Sequence, residues 1–410
     1  MNNRNDRQHN KAKRSPAFNR LERELVFRSL AYSMSAGDSV CEKAARRRGK
    51  NAMEISLCMI VRDEEASLPR CLESIKGAVD EIIIVDTGSK DRTKEIARQY
   101  TENVYDYQWQ DDFADARNVS LSYATKPFIL WLDADDVMDR SEREKLIALK
   151  SRLDESVDVV MMPYRTGAGL VFERERIVRR AAGFVFMGVV HEAMEISGNV
   201  IHEDIVVCHE RGNKKPSGRR NLEIYEKWQA RGRRMSPRDQ YYYARELMDC
   251  GETARAEQAF ALFLMGDGWI ENRIDAYVQR GVCLQKLNRP LEAKQSILSA
   301  LALTAPRAEA LCAMGNLAMS AEDWENAVFW YRAAMIARPP ENTGAFVFLD
   351  AYRYIPAIQL CVCYDHLGNT RLASQMNEQA LLARPGDPAA LQNRVYFEGK
   401  LAQQGERLSR

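Results

Sequence analysis

No stretch of about 18 uninterrupted apolar residues occurs in the 410-residue chain, so no transmembrane helix is expected. The amino terminus is rich in Asn, Arg and Lys and has no apolar core, so no secretory leader is expected and a cytoplasmic location is. Nine cysteines, at 41, 58, 71, 208, 250, 283, 312, 361 and 363, form no CxxC pair and no Cys/His cluster with zinc spacing. Reduced core thiols are the expected state. A formal net charge of +1 excludes a strongly polyanion-binding surface, and no nucleic-acid partner is expected. With 46% hydrophobic and 29% charged residues, the composition is that of a soluble globular protein of two or three domains.

The texture changes along the chain. Residues 1–53 are polar and basic, with one plausible helix at 18–34, and read as a flexible extension; Met53 stands directly before the first core strand and is a candidate physiological start. From 54 to 213 short β-rich runs alternate with amphipathic helical patterns. Strands are expected at 55–61, 81–86, 103–107 and 127–132, and helices at 66–76, 91–99, 113–124 and 141–150. This alternation implies right-handed crossovers and a doubly wound, Rossmann-like, mostly parallel α/β sheet. Further strand-like runs at 158–164, 176–180, 185–190 and 205–209 suggest an appended mixed or antiparallel part. Residues 214–238 read as a basic helical linker. From 239 to 400 the chain is helical, with a tail at 401–410, and a buried-type alanine recurs at 256, 293, 327 and 373, separations of 37, 34 and 46 residues. A turn followed by a helix with such an alanine, repeated near 34 residues, resembles the tetratricopeptide repeat. An insertion is expected at 340–354.

Three apolar runs of strand length end abruptly in carboxylate, hydroxyl or glycine residues, which is how parallel strands deliver polar groups to the carboxyl edge of an open sheet. After 128–132 comes Asp133-Ala-Asp135-Asp136. Residues 133 and 135 point to one side of an extended chain, so Asp135 is expected to bind a hard divalent cation and Asp133 a ribose, directly or through a neighbour. After 81–85 come Asp86, Thr87, Gly88 and Ser89; Gly88 permits close backbone approach, and Asp86 or Thr87 is a candidate for the edge of a nucleobase. The alternative is a plain turn capped by Ser89 and Asp91. Val61, Asp63 and Glu64 end the first strand, where their backbone would flank base and ribose, or the acids simply start the next helix. Arg117, beside Asn118, would bond the base or an acidic partner. His209 would reach pyrophosphate or metal, or sit as a loop histidine. Arg176, Arg179 and Arg180 are a further cluster near a diphosphate.

The motifs CMIVRDEE at 58–65, VDTGSKD at 85–91, DDFADARN at 111–118 and WLDADD at 131–136 resemble family 2 glycosyltransferases. The closest likeness is to the subgroup with a carboxy-terminal tetratricopeptide array that includes the glycocin peptide S-glycosyltransferases of the sublancin type. The resemblance covers roughly 54–390 and implies the GT-A fold, a nucleotide-sugar donor, usually UDP-linked, Mn²⁺ or Mg²⁺, and inversion at the anomeric carbon. An inverting transfer needs a general base. The GVVHE run at 188–192 carries a His-Glu pair that occurs in this subgroup, so Glu192 is assigned as base and His191 as an orienting, phosphate-contacting or metal-ligating residue. The array is expected to recruit a peptide, protein or glycan acceptor, or to form a homodimer. Tyr241, Tyr242, Tyr243, Trp324, Trp330 and Tyr331 are candidates for its groove or its core. Two other readings are an inactive adaptor and a nucleotidyltransferase. The latter would need a glycine-rich basic loop where this chain has Arg62-Asp-Glu-Glu65.

Overall fold

The computed structural model describes residues 52–166, 171–210, 218–340, 347–403 and 405, so the readings on 1–51 and on most of the tail lie outside the described residues. Residues 53–410 pack as one unit. Its first half is a mixed sheet of order β3-β2-β1-β4-β7-β6-β11-β5, with β10 on β6. The strands are β1 Ile55–Val61, β2 Glu81–Asp86, β3 Val104–Asp106, β4 Phe128–Trp131, β5 Asp136–Val137, β6 Val159–Arg165, β7 Val171–Arg179, β10 Val200–His202 and β11 Val207–His209. A separate ribbon pairs β8 Phe186–Met187 with β9 Ala193–Met194. The helices of this half are α1 Leu68–Ser74, α2 Thr93–Ala97, α3 Phe113–Ser122 and α4 Arg140–Lys150.

Period-two alternation explains the two covered faces. Ile55, Leu57, Met59 and Val61 of β1 and Phe128 and Leu130 of β4 pack with Leu68 and Leu72 of α1 and Leu146 and Leu149 of α4. Cys58, Ile129 and Trp131 face the other way, onto Ala114 and Leu121 of α3. The parallel part β3-β2-β1-β4 follows the expected alternation. The expected mixed part is appended at β4, the edge of the parallel part, where antiparallel β7 matches Val178 to Ile129 and Ile177 to Leu130 so that apolar residues share faces. The strand expected at 185–190 stops at Met187. Gly188 takes φ +97°, where a Cβ would lie 3.4 Å from Asp239 Oδ1.

Ten α-helices follow among the described residues: α5 Arg220–Ala230, α6 Pro237–Asp249, α7 Thr253–Leu264, α8 Ile270–Lys286, α9 Pro290–Leu303, α10 Ala308–Ser320, α11 Trp324–Ile336, α12 Tyr354–His366, α13 Thr370–Ala383 and α14 Pro388–Gln403. They stack as the pairs α6–α7, α8–α9, α10–α11 and α12–α13, with α14 closing the end. Ala256, Ala293, Ala327 and Ala373 each stand four residues into the second helix of a pair and are fully buried, because only a methyl fits between axes that approach so closely. Of the aromatic candidates, Tyr241 and Tyr331 are core, and Trp324 stacks on His366 with centroids 3.9 Å apart. Gly315 of α10 faces the buried ring of Tyr331, which a Cβ would meet at 2.6 Å. Gly315→Val therefore overpacks the repeat, and a loss of about 2–3 kcal/mol is expected in urea unfolding followed by helical circular dichroism; an unchanged midpoint would refute the contact.

The two halves are not separable beads. Val189 and Val190, just beyond β8, are buried with Ile224 and Tyr225 of α5, against Tyr242 and Tyr243 of α6.

Candidate active site

The carboxyl ends of β1, β2 and β4 lie along one edge because these strands are parallel. At β2, Asp86 is buried and its Oδ1 accepts from the backbone N–H groups of Gly88 and Ser89 at 2.9 and 2.8 Å. Its Oδ2 is buried without a hydrogen-bond partner among the described residues. Thr87 donates through its hydroxyl to the Val61 carbonyl at 3.2 Å. The β1 and β2 loops are laced further: the Asp63 N–H donates to Ser89 Oγ at 3.0 Å, Asp63 Oδ1 accepts from the Lys90 N–H at 2.7 Å, and the Glu64 N–H donates to Thr93 Oγ1 at 2.7 Å.

After β4 the chain turns rather than staying extended, with the Asp136 N–H bonded to the Asp133 carbonyl at 3.0 Å, so an extended segment does not present residues 133 and 135; Asp133 pairs with Arg117 and Asp135 with His209. Asp133 accepts from Arg117 Nη2 at 2.7 Å, and Glu192 accepts from Arg117 Nε at 2.5 Å. Arg117 is buried and lies 5.0 Å from the Trp131 ring centroid. Its donors thus serve acids rather than a base. Burial alone would raise Asp133, but Arg117, then Arg176 and Arg174, hold its carboxyl down at about 2. Asp133, Arg117 and Glu192 together carry one net negative charge.

Asp135 meets His209, Nδ1 lying 3.4 Å from Asp135 Oδ1 and 3.5 Å from Asp136 Oδ1. This carboxylate–carboxylate–imidazole group has its ligand atoms within 4.8 Å of one another. His209 Nδ1 is buried without a hydrogen bond among the described residues. Burial raises the pKa of Asp135; His209 opposes, and the like charges of Asp133 and Asp136 add to the rise. The Asp136 carboxylate lifts His209 above its ordinary value against burial, with help from Asp135. Two carboxylates crowded against one imidazole nitrogen suit a divalent cation. Asp136 was not singled out in the sequence. It is fully buried and is tied to Arg176 at 3.2 Å and to the Tyr164 hydroxyl at 2.8 Å.

Of the arginine cluster, Arg176 alone reaches this edge, buried beneath Trp131 and Tyr164 and 3.2 Å from Asp136, while Arg179 pairs with Asp158 and Arg180 donates to the Lys126 carbonyl. An arginine within a strand is drawn inward here because Asp136 neutralises it. His191 takes φ +54° and turns to the helical half. Its Nε2 lies 2.7 Å from Glu246 Oε1 and its ring stacks on Tyr242 at 4.4 Å, which fits an orienting part and not a metal- or phosphate-contacting one. Beside the edge opens a cleft of about 540 Å³ lined by Arg62, Asp63, Glu64 and Thr87 on one side and, on the other, by Trp109, Asp111 and Phe113 with Arg220, Glu223, Ile224 and Lys227 of α5. The second wall was not foreseen; its only local signal was two aromatics flanking Asp111.

Residues 56–202 match the family model described as glycosyl transferase family 2. A TPR repeat-containing protein of Synechococcus elongatus is 40% identical over 153 residues, 36% of this chain and 37% of its own. The SPbeta prophage-derived glycosyltransferase SunS of Bacillus subtilis is 30% identical over 207 residues, 47% of this chain and 49% of its own. The lipopolysaccharide core biosynthesis glycosyltransferase LpsC of Rhizobium meliloti is 32% identical over 161 residues, 36% of this chain and 59% of its own. The chain thus spans 37% to 59% of the length of these relatives. No helix among the described residues is long and apolar enough to cross a membrane.

Proposed function

We propose, from the premise that residues 56–202 form a family 2 glycosyl transferase domain joined to a TPR-like array, that the protein is an inverting glycosyltransferase acting in the cytoplasm. It moves a hexose or N-acetylhexosamine from a nucleotide sugar, UDP-linked in the first instance, to a peptide, protein or glycan acceptor. The helical array recruits that acceptor or a second copy of the chain. The observation that carries this reading is the meeting, at one sheet edge, of the Asp135–His209 group with the Asp133–Arg117–Glu192 chain.

Asp135 and His209 would hold Mn²⁺ or Mg²⁺, whose charge neutralises the departing pyrophosphate. The orphaned Oδ2 of Asp86 suits a nucleobase N–H, and the backbone of Val61, Asp63 and Glu64, with Thr87, Gly88 and Ser89, would border base and ribose. Asp133 serves the donor through Arg117, which its carboxylate orients. Glu192 takes the proton from the acceptor nucleophile as its lone pair attacks the anomeric carbon. Arg117 shared between two carboxylates leaves the trio a negative charge with which to accept that proton. His191 holds the loop behind Glu192.

Purified full chain should hydrolyse or transfer from one sugar of a UDP-, GDP- and dTDP-linked panel. Activity should vanish on chelation and return with added Mn²⁺ or Mg²⁺. Undiminished turnover in the chelator would refute the metal assignment, and no turnover or binding of any donor would refute the transferase.

A further inference from the structure

The cleft's second wall comes from α5, which begins 18 residues beyond the matched domain. Two acid–base contacts bolt this helix over the edge: Lys227 and Arg231 lie 3.1 and 3.0 Å from Asp111. Arg220, at its start, lines the cleft but meets no carboxylate within 4.0 Å among the described residues. Among the described residues its side chain donates only to the neighbouring Asn221 Oδ1, at 3.3 and 3.2 Å. The guanidinium lies 5.2 Å from the Phe113 ring centroid. The residue is exposed to solvent at the start of α5. Desolvation lowers its pKa, Glu246 opposes this, the like charge of Arg62 lowers it further, and Glu192 raises it slightly. Arg62, on the facing wall, has only Asp63 at 3.9 Å, the weak pair of an exposed neighbour. Arg220 from α5 and Arg62 from the end of β1 line one cleft and offer it two guanidiniums as charged donors for an anion.

We propose that Arg220, assisted by Arg62, binds the diphosphate of the nucleotide donor, so that the donor site is completed by a residue of the helical half. This rests on the transferase reading above. As the bond between the anomeric carbon and the β-phosphate oxygen breaks, its electron pair stays on that oxygen while the acceptor's proton passes to Glu192. Arg220 meets the charge that gathers on the leaving group, a contact that strengthens as the reaction proceeds. Asp63, Glu64 and Glu223 on the same walls, with Asp111 tied to Lys227 and Arg231, limit how much further negative charge the cleft accepts and favour a donor whose phosphates are partly neutralised by a cation.

Calorimetric titration of the full chain with UDP, GDP and dTDP and with the three corresponding nucleosides, all with Mn²⁺, tests this. For the diphosphate that the wild type binds, Arg220→Gln should weaken affinity by about tenfold or more, leave nucleoside affinity and melting temperature unchanged, and lower kcat as well as raise KM. Arg220→Lys should recover part of the loss, and Arg62→Gln should show the same pattern more weakly. Diphosphate affinity unchanged in Arg220→Gln, or nucleoside and diphosphate weakened equally, overturns the proposal while leaving the transferase intact. If Arg220→Gln fails to fold, unaltered diphosphate affinity in Arg62→Gln overturns it instead. A wild type that binds none of the three diphosphates removes the transferase reading and this inference with it.

Discussion

Asp135→Asn should reduce donor turnover by about 10³-fold, the equivalent of roughly 4 kcal/mol of transition-state stabilisation, with little change in thermal stability. Asp135 lies at the turn, its side chain 17% exposed, and among the described residues the one ion pair of its side chain is with His209, so the amide costs the fold little. The neighbouring Asp136→Asn should behave in the opposite sense. Asp136 is buried and neutralises Arg176, which is 1% exposed, so the amide leaves a buried guanidinium uncompensated at a cost of about 3–5 kcal/mol. Initial rates and urea unfolding of the two variants separate a ligand from a structural acid. If both lose activity and stability alike, the metal assignment to Asp135 is wrong.

Glu192→Gln should lower kcat by about 10²–10⁴-fold while donor affinity stays within a few-fold, because Arg117 retains Asp133 when one of its two carboxylates becomes an amide. The size of the loss reports on the acceptor. A thiol ionises by itself near pH 8.5, so a cysteine acceptor would regain activity in this variant as pH rises from about 6 to 9. A hydroxyl acceptor does not ionise in that window and would stay slow throughout. An unchanged kcat at pH 7 would remove Glu192 from the role of base.

The parallel core was legible because β1, β2 and β4 are short apolar runs covered on both faces, and each gives way abruptly to polar residues. The alanines of the array were legible for a similar reason, since one small residue recurs wherever two axes touch. What was not legible depends on long-range pairing. β5 is two residues long and pairs only with the distant β11, while β8 and β9, equally short, pair with each other across a tight ribbon. Arg176 read as a charge near a ligand because sequence shows neither Trp131 and Tyr164 over its guanidinium nor the buried Asp136 that neutralises it. The metal group joined Asp135 to His209 across 74 positions, and the imidazole was anticipated only by its place at the end of a strand. Asp136 went unassigned because a third acid after a strand looks like spacing.

The packing of Val189 and Val190 against Ile224, Tyr225, Tyr242 and Tyr243 bears on how such a protein is inherited. The pair lies just ahead of Glu192, while all four of these cover residues come from beyond residue 210. A recombination event in that interval would hand the loop a foreign cover, leaving two valines wet and Glu192 without its backing. The sheet-bearing half and the start of the helical array are therefore expected to travel as a single heritable block, and exchange of helical modules should be tolerated only farther along, where one helix pair meets the next.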